Sequence, residues 1–220
     1  MHHKNLLKKK MEVNYVAEGQ DELFTEQFLT RLKALIEAHH IAYPHNPPQG
    51  IYFESLVARA FRQAGWQDAQ VVLTTPNRPQ HDLLVGTNRI SLKTETGAGT
   101  KSRLIAITKL CTTEREPWDA PTLIQHALGH LSRYDHILML RAIWAGRVGV
   151  RYQLLEIPIL LLQLMQTLTA VPVGRRKGRR SIGGDVYESG QKVFHVHFDG
   201  ADGKCQIRDL PVERCRMLAE

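Results

Sequence analysis

The chain has little cysteine: Cys111, Cys205 and Cys215 are its only three. They are widely spaced, none belongs to a Cys-x-x-Cys pair, and an odd number argues against a disulfide framework. A reducing cytoplasm is the setting this implies. No apolar run reaches the ~18 residues of a membrane-crossing helix. The longest, Ile157 to Met165, reads as a buried helix. The basic opening, Met1 to Lys10, has no apolar stretch behind it, so no signal peptide is expected and the segment reads as an arm able to touch phosphates. There is no Walker A motif and no Gly-x-Gly-x-x-Gly fingerprint, which argues against ATP-driven work. Internal repeats and low-complexity tracts are also missing.

What remains is a chain of 220 residues, 43% hydrophobic, with a net charge of +7. That length and apolar content suit one domain with a sizeable core. We divide it into a basic arm over 1–20, a core over 21–168 and a β-rich part over 169–220. The basic balance speaks to partners rather than fold, with nucleic acid first and an anionic membrane surface second.

Apolar spacing predicts a helix over Asp21 to Ala38, with Asp21 as its N-cap or first-turn acid, then a proline-rich break from His39 to Gly50. A second helix is expected from Ile51 to Ala64. Strands follow at Ala69 to Thr75, Asp82 to Gly86 and Arg89 to Thr94, the last two joined by a turn at Gly86-Thr87-Asn88. Leu104 to Lys109 fits either a strand or the start of a helix. Ala120 to Arg133 reads as a helix, Asp135 to Trp144 and Val148 to Glu156 as strands, and Ile159 to Leu168 as a short buried helix. Beyond Ala170, short β patterns alternate with Gly-rich turns. The fold class expected is α/β (α+β): a mixed central sheet flanked by helices, with a C-terminal β-hairpin appendage.

The stretch from His81 to Glu95 carries the chemistry. On an alternating strand Ser91, Lys93 and Glu95 share one face, and Ile90, Leu92 and Thr94 the other. Asp82 comes beside Lys93 if its strand pairs with this one. A carboxylate, a lysine and a spare acid on one sheet edge can set a divalent metal and a water against a phosphate. Hard cations take oxygen ligands, here Asp82 and the Leu92 carbonyl. Lys93 adds a point charge next to the nucleophile. The alternative is a turn-capping Asp82 beside solvated strand residues.

The order Glu54, Asp82, Lys93 resembles the PD-(D/E)XK nuclease superfamily, which includes many type II restriction endonucleases and mismatch-repair nickases. The resemblance covers roughly Ile51 to Glu95. It implies a Mg²⁺ ion held by Asp82, a Lys93 that orients or activates the attacking water, and a helix glutamate, Glu54, that completes the site. Ser91 stands where the superfamily has Asp or Glu, and some of its restriction enzymes share this Ser-x-Lys form. Either Glu95 or Glu54 could then supply the missing charge, and the sequence leaves that open. The resemblance further implies a homodimer cutting both strands of a palindromic duplex site, 5′-phosphate and 3′-hydroxyl ends, and a cognate DNA methyltransferase as genetic partner. The alternatives are a repair nickase of the same superfamily and a DNA-binding protein with a decayed site; an RNA-binding module is weaker. Gly50-Ile51-Tyr52 opens the GIY-YIG nuclease signature, but no Tyr-Ile-Gly follows at suitable spacing.

DNA contacts are expected from Thr94, from Lys101 and Arg103 in the Gly-rich loop over 97–103, and from the basic run Arg175, Arg176, Lys177, Arg179 and Arg180, with Ser181, Asp185 and Tyr187 as neighbours. Two histidine sets invite a metal less strongly: His126 with His130, and His195 with His197 and Asp199.

Overall fold

The structure is a computed structural model describing residues 23–74, 81–146, 149–173 and 179–220. In chain order it contains α1 (Glu26–Ala42), α2 (Ile51–Gln63), β1 (Val71–Leu73), β2 (Leu83–Val85), β3 (Asn88–Glu95), β4 (Leu104–Thr112), α3 (Ala120–Leu131), β5 (His136–Ala145), β6 (Gly149–Glu156), α4 (Ile159–Gln163), β7 (Val171–Val173), β8 (Ser181–Glu188), β9 (Gln191–Asp199), β10 (Lys204–Pro211) and β11 (Arg216–Ala219).

Helix α1 begins later than the apolar spacing suggested. The Thr25 hydroxyl accepts the Phe28 N–H at 3.2 Å and so caps the helix. Asp21 lies outside the described residues. The helix also runs on through His39 and His40, ending just before Tyr43-Pro44. Its buried stripe is Phe28, Leu32 and Ile36. Gly50, at φ 53, makes the turn into α2 in a conformation that glycine adopts without strain.

The central sheet has the order β1-β2-β3-β5-β6-β11. Strands β3 and β5 run parallel, with Lys93 opposite Met139 and Glu95 opposite Arg141. The sheet's other described pairs are antiparallel. On one face α1 and α2 bury Phe28, Phe61 and Val57 against Ile90, Leu92, Leu138 and Leu140. The Phe28 and Phe61 rings stack with centroids 4.0 Å apart. On the other face Ile137, Met139 and Leu155 pack under α3, α4 and a second sheet. A mixed sheet flanked by helices is thus the observed class.

The second sheet, ordered β4-β10-β9-β8-β7, changes the expected picture of the C-terminal part. Its hairpins are not set apart from the core. Strand β10 pairs with β4 from mid-chain, and β11 returns to β6. Leu104 to Lys109 lies in β4, because alternating Ile105 and Ile107 enter the shared core. This pairing also sets Cys111 opposite Cys205. Both are buried free thiols, and the Cys111 contact together with burial pushes the Cys205 thiol up. Among the described residues no helix is long and apolar enough to cross a membrane.

Candidate active site

Strand β3 continues past the start of β2, and Asp82 sits at that step. Its N–H donates to the Ile90 carbonyl at 3.0 Å, and its carbonyl accepts the Thr74 N–H at 3.0 Å. With the backbone fixed, the carboxylate turns toward β3. Its Oδ2 accepts the Leu92 N–H at 2.7 Å and the Ser91 hydroxyl at 3.1 Å. Lys93 donates from Nζ to Ser91 Oγ at 2.8 Å and stands 3.7 Å from Asp82 Oδ2. Ser91 is fully buried. The N–H and C=O of one strand residue point to the same edge, so the Leu92 carbonyl faces the Asp82 side, beyond the reach of β2.

Glu54, in the first turn of α2, joins this group. Burial raises its carboxyl above the ordinary range, the Asp82 charge raises it further, and Lys93 pulls it back. Asp82, a raised Glu54 carboxyl, a backbone carbonyl and a lysine therefore meet on one edge. Among the described residues no three His, Cys, Asp or Glu side chains gather into a metal cluster. A cation here would draw on Asp82, Glu54, the Leu92 carbonyl and water.

Glu95 shares the strand face of Lys93 but is otherwise engaged. Its Oε2 accepts Arg141 Nε at 2.7 Å and its Oε1 accepts the Ala106 N–H at 3.2 Å. Arg141 is fully buried and also donates to the Gln153 side chain at 2.8 Å, the Leu104 carbonyl at 2.7 Å and the Lys101 carbonyl at 2.5 Å. Burial still raises the Glu95 carboxyl, and Arg141 opposes that rise. Of the two carboxylates left open by the sequence, the geometry favours Glu54 at the Asp82 edge and gives Glu95 a structural partner.

The loop after β3 is well tied. The Thr96 carbonyl accepts Trp144 Nε1 at 3.1 Å, and the Thr100 hydroxyl donates to the Gly97 carbonyl at 2.8 Å. Arg141 holds the Lys101 carbonyl from below. Lys101 and Arg103 are left exposed, with Lys101 Nζ 3.7 Å from Asp209. An open cavity of about 600 Å³ adjoins the loop, lined by His45, Gln49, Gly97 and Trp144. Thr94 is half-buried on the strand face opposite Lys93.

Of the basic run, Arg175, Arg176 and Lys177 lie outside the described residues. Arg179 and Arg180 are exposed, yet anchored to Trp118: the Arg179 guanidinium sits 4.0 Å over the indole, and Trp118 Nε1 donates to the Arg180 carbonyl at 2.6 Å.

Neither histidine set forms a metal centre. His126 bonds the Thr112 carbonyl at 2.9 Å and lies 3.0 Å from Glu116. His130 instead bonds the Tyr134 hydroxyl. His195 is held by Asp185 at 2.7 Å, while Asp199 accepts the Ala201 N–H at 2.9 Å. Tyr134 is the site neighbour that sequence reasoning missed. It is buried, its hydroxyl bonds His130, and burial followed by the nearby Asp82 charge pushes that hydroxyl's pKa up. It lies outside the hairpin motif, and no spacing signals it.

The family model for SmaI, described as a type II site-specific deoxyribonuclease, matches residues 9–220. The type II restriction enzyme SmaI of Serratia marcescens is 30% identical over 140 residues, covering 62% of this chain and 57% of that protein. The chain thus aligns with less than two thirds of that relative's length. No solved structure matches. With the model match running over nearly the whole sequence, this chain belongs to the SmaI family of type II site-specific deoxyribonucleases.

Proposed function

We propose that this chain is a type II restriction endonuclease that hydrolyses double-stranded DNA at specific sites, using the PD-(D/E)XK plan in its Ser-x-Lys form. The observation that carries the reading is the contact of Asp82 and Lys93 through Ser91, with Glu54 alongside. Family membership supports it independently.

The donor set fits Mg²⁺. Asp82, Glu54 and the Leu92 carbonyl are hard oxygen donors, and a cation offsets the burial and the Asp82 repulsion that raise Glu54. When bound, Mg²⁺ supplies Lewis-acid stabilisation of the charge that grows on the phosphoryl oxygens. Lys93 spends one N–H on Ser91 and keeps others to orient the attacking water beside the phosphate. Asp82 is itself positioned by the Leu92 N–H, so the carboxylate stays in place without substrate. Lys101 and Arg103, exposed at the rim, take phosphates of the duplex, with Thr94, Arg175, Arg176, Lys177, Arg179 and Arg180 as further contacts. Glu95 supports the site through Arg141.

The products are 5′-phosphate and 3′-hydroxyl ends. A two-fold homodimer sets one such site on each strand. A cognate DNA methyltransferase protects the host, and the enzyme acts in the cytoplasm.

Incubation with phage DNA, with Mg²⁺ and with EDTA, tests the reading. Discrete fragments that appear only with Mg²⁺ and carry 5′-phosphates support it. Nicked circles without linear product would favour a repair nickase. A shifted but uncut duplex would leave a binding protein.

A further inference from the structure

We propose that the outer face of β8, β9 and β10 reads base edges in the major groove of the duplex, with Arg208 taking a guanine; this rests on the nuclease reading above. Strand alternation builds the face. Strand β9 turns Phe194, Val196 and Phe198 into the core, and β10 does the same with Cys205 and Ile207. His195, His197, Gln206 and Arg208 therefore point outward. The register sets them in rows: Asp185 beside His195 beside Arg208, and Gly183 beside His197 beside Gln206. A Cβ at Gly183 would stand 2.6 Å from the Val196 carbonyl, so the second row carries no side chain on β8. An open cavity of about 490 Å³ lies on this face, lined by Arg179, Ser181, His195, His197, Asp199 and Arg208.

The side chains are held in place before any ligand arrives. Gln206 Oε1 accepts Arg208 Nε at 3.1 Å and Nη2 at 2.6 Å, which fixes the guanidinium plane. The end of the fork remains, with one hydrogen each from Nη1 and Nη2 to give in parallel. Guanine offers the matching pair of acceptors, O6 and N7, in the major groove. Asp185 Oδ1 accepts His195 Nδ1–H at 2.7 Å. A carboxylate only accepts, so the proton sits on Nδ1 and Nε2 is left for a ligand. Burial, and then the Arg208 charge, hold the His197 ring below its ordinary value, so it is neutral at pH 7 and offers one donor and one acceptor.

A surface that only follows phosphates needs cations. This one mixes donors and acceptors at fixed places, as base edges require. It also adjoins the loop beside the candidate active site. Lys101 Nζ stands 3.7 Å from Asp209 Oδ1, and Lys192 Nζ stands 3.6 Å from Asp209 Oδ2 and 3.0 Å from Asp185 Oδ1. These contacts lead from Lys101 to the His195 row.

The test uses Arg208→Ala and Arg208→Lys. Arg208 is exposed, so both should keep the wild-type Tm. The substrates are duplexes carrying the wild-type cut site, found by sequencing fragment ends from phage DNA, and each single-base-pair change of that site. On the intact site kcat/KM should fall about 10–100-fold in Arg208→Ala, the range of one bidentate pair. Preference should relax at one G·C pair and hold at the others. Lysine keeps the charge but lacks the fork, so its recovery should stay partial. Gln206→Ala, which frees the guanidinium, should relax the same pair. Unaltered preference at every position in Arg208→Ala would overturn the inference. So would an equal loss on every duplex that Arg208→Lys restores, which would make Arg208 a phosphate contact. Wild-type protein that cuts no DNA sinks the nuclease reading, and this one with it. Wild type that cuts beside an Arg208→Ala of unaltered preference sinks this inference alone.

Discussion

Lys93 Nζ stands 3.7 Å from Asp82 Oδ2, and the Ser91 hydroxyl joins them, 2.8 Å from the lysine and 3.1 Å from the carboxylate. A connecting hydroxyl thus bridges the carboxylate and the lysine. Loss of charge and loss of connection should then separate. Asp82→Asn should slow cleavage by on the order of 10³-fold, the several kcal/mol of a cation anchor. Ser91→Ala should slow it about 10-fold, the scale of one hydrogen bond. Single-turnover cleavage of one duplex substrate ranks the two, and equal losses would contradict this division of roles.

Glu54 and Glu95 should respond in opposite ways. Glu95→Ala strips the partner from a fully buried guanidinium, which costs about 3–5 kcal/mol and lowers Tm by many degrees. Glu54→Gln removes a carboxylate that Asp82 repels, so Tm should hold or rise while cleavage is lost. Melting curves beside cleavage assays check this. A Glu95 variant that melts normally yet fails to cut would return that residue to the cation site.

Lys101 and Arg103 project from a loop whose backbone is pinned by Arg141 and Trp144. Lys101→Ala and Arg103→Ala should weaken duplex binding at any sequence, each lowering the salt slope of log K by about 1. Binding titrations across salt concentrations read this directly. An unchanged slope removes these residues from the DNA interface.

Asp135 provides a pH test of the fold. Its carboxylate accepts the Arg89 N–H at 2.8 Å and pairs with the guanidinium at 2.7 Å, which holds it below the usual carboxylate range. A depressed acid adds stability above its unfolded value of about 3.9, and that stability fades as pH falls through the folded pKa. The Tm gap between wild type and Asp135→Asn should be steady above pH ~5 and close in more acid solution. A gap that widens toward acid would reverse the assignment.

The hairpin contacts were legible because strand alternation and a two-residue offset are local: Asp82, Ser91 and Lys93 meet once the two strands pair. The nearness of Glu54 to Asp82 was expected only from a resemblance, because it depends on how α2 packs. The role of Glu95 was not legible. Its partner Arg141 lies in β5, and only the parallel β3–β5 register brings them together. Tyr134 was hidden for a similar reason, since it comes near Asp82 from the segment between α3 and β5. The start of α1 shifted because a Thr25 cap outweighed an acid four residues earlier. The C-terminal strands read correctly as β, but their pairing with β4 is a long-range choice that local periodicity does not encode.

The most direct measurement follows binding and cleavage in one sample. Wild type and Lys93→Ala are bound to a duplex carrying the cut site, and Mg²⁺ is then added. The account predicts similar binding by both proteins and cleavage about 10²–10⁴-fold slower in the variant. A Lys93→Ala protein that cuts at the wild-type rate would place the chemistry elsewhere in the chain.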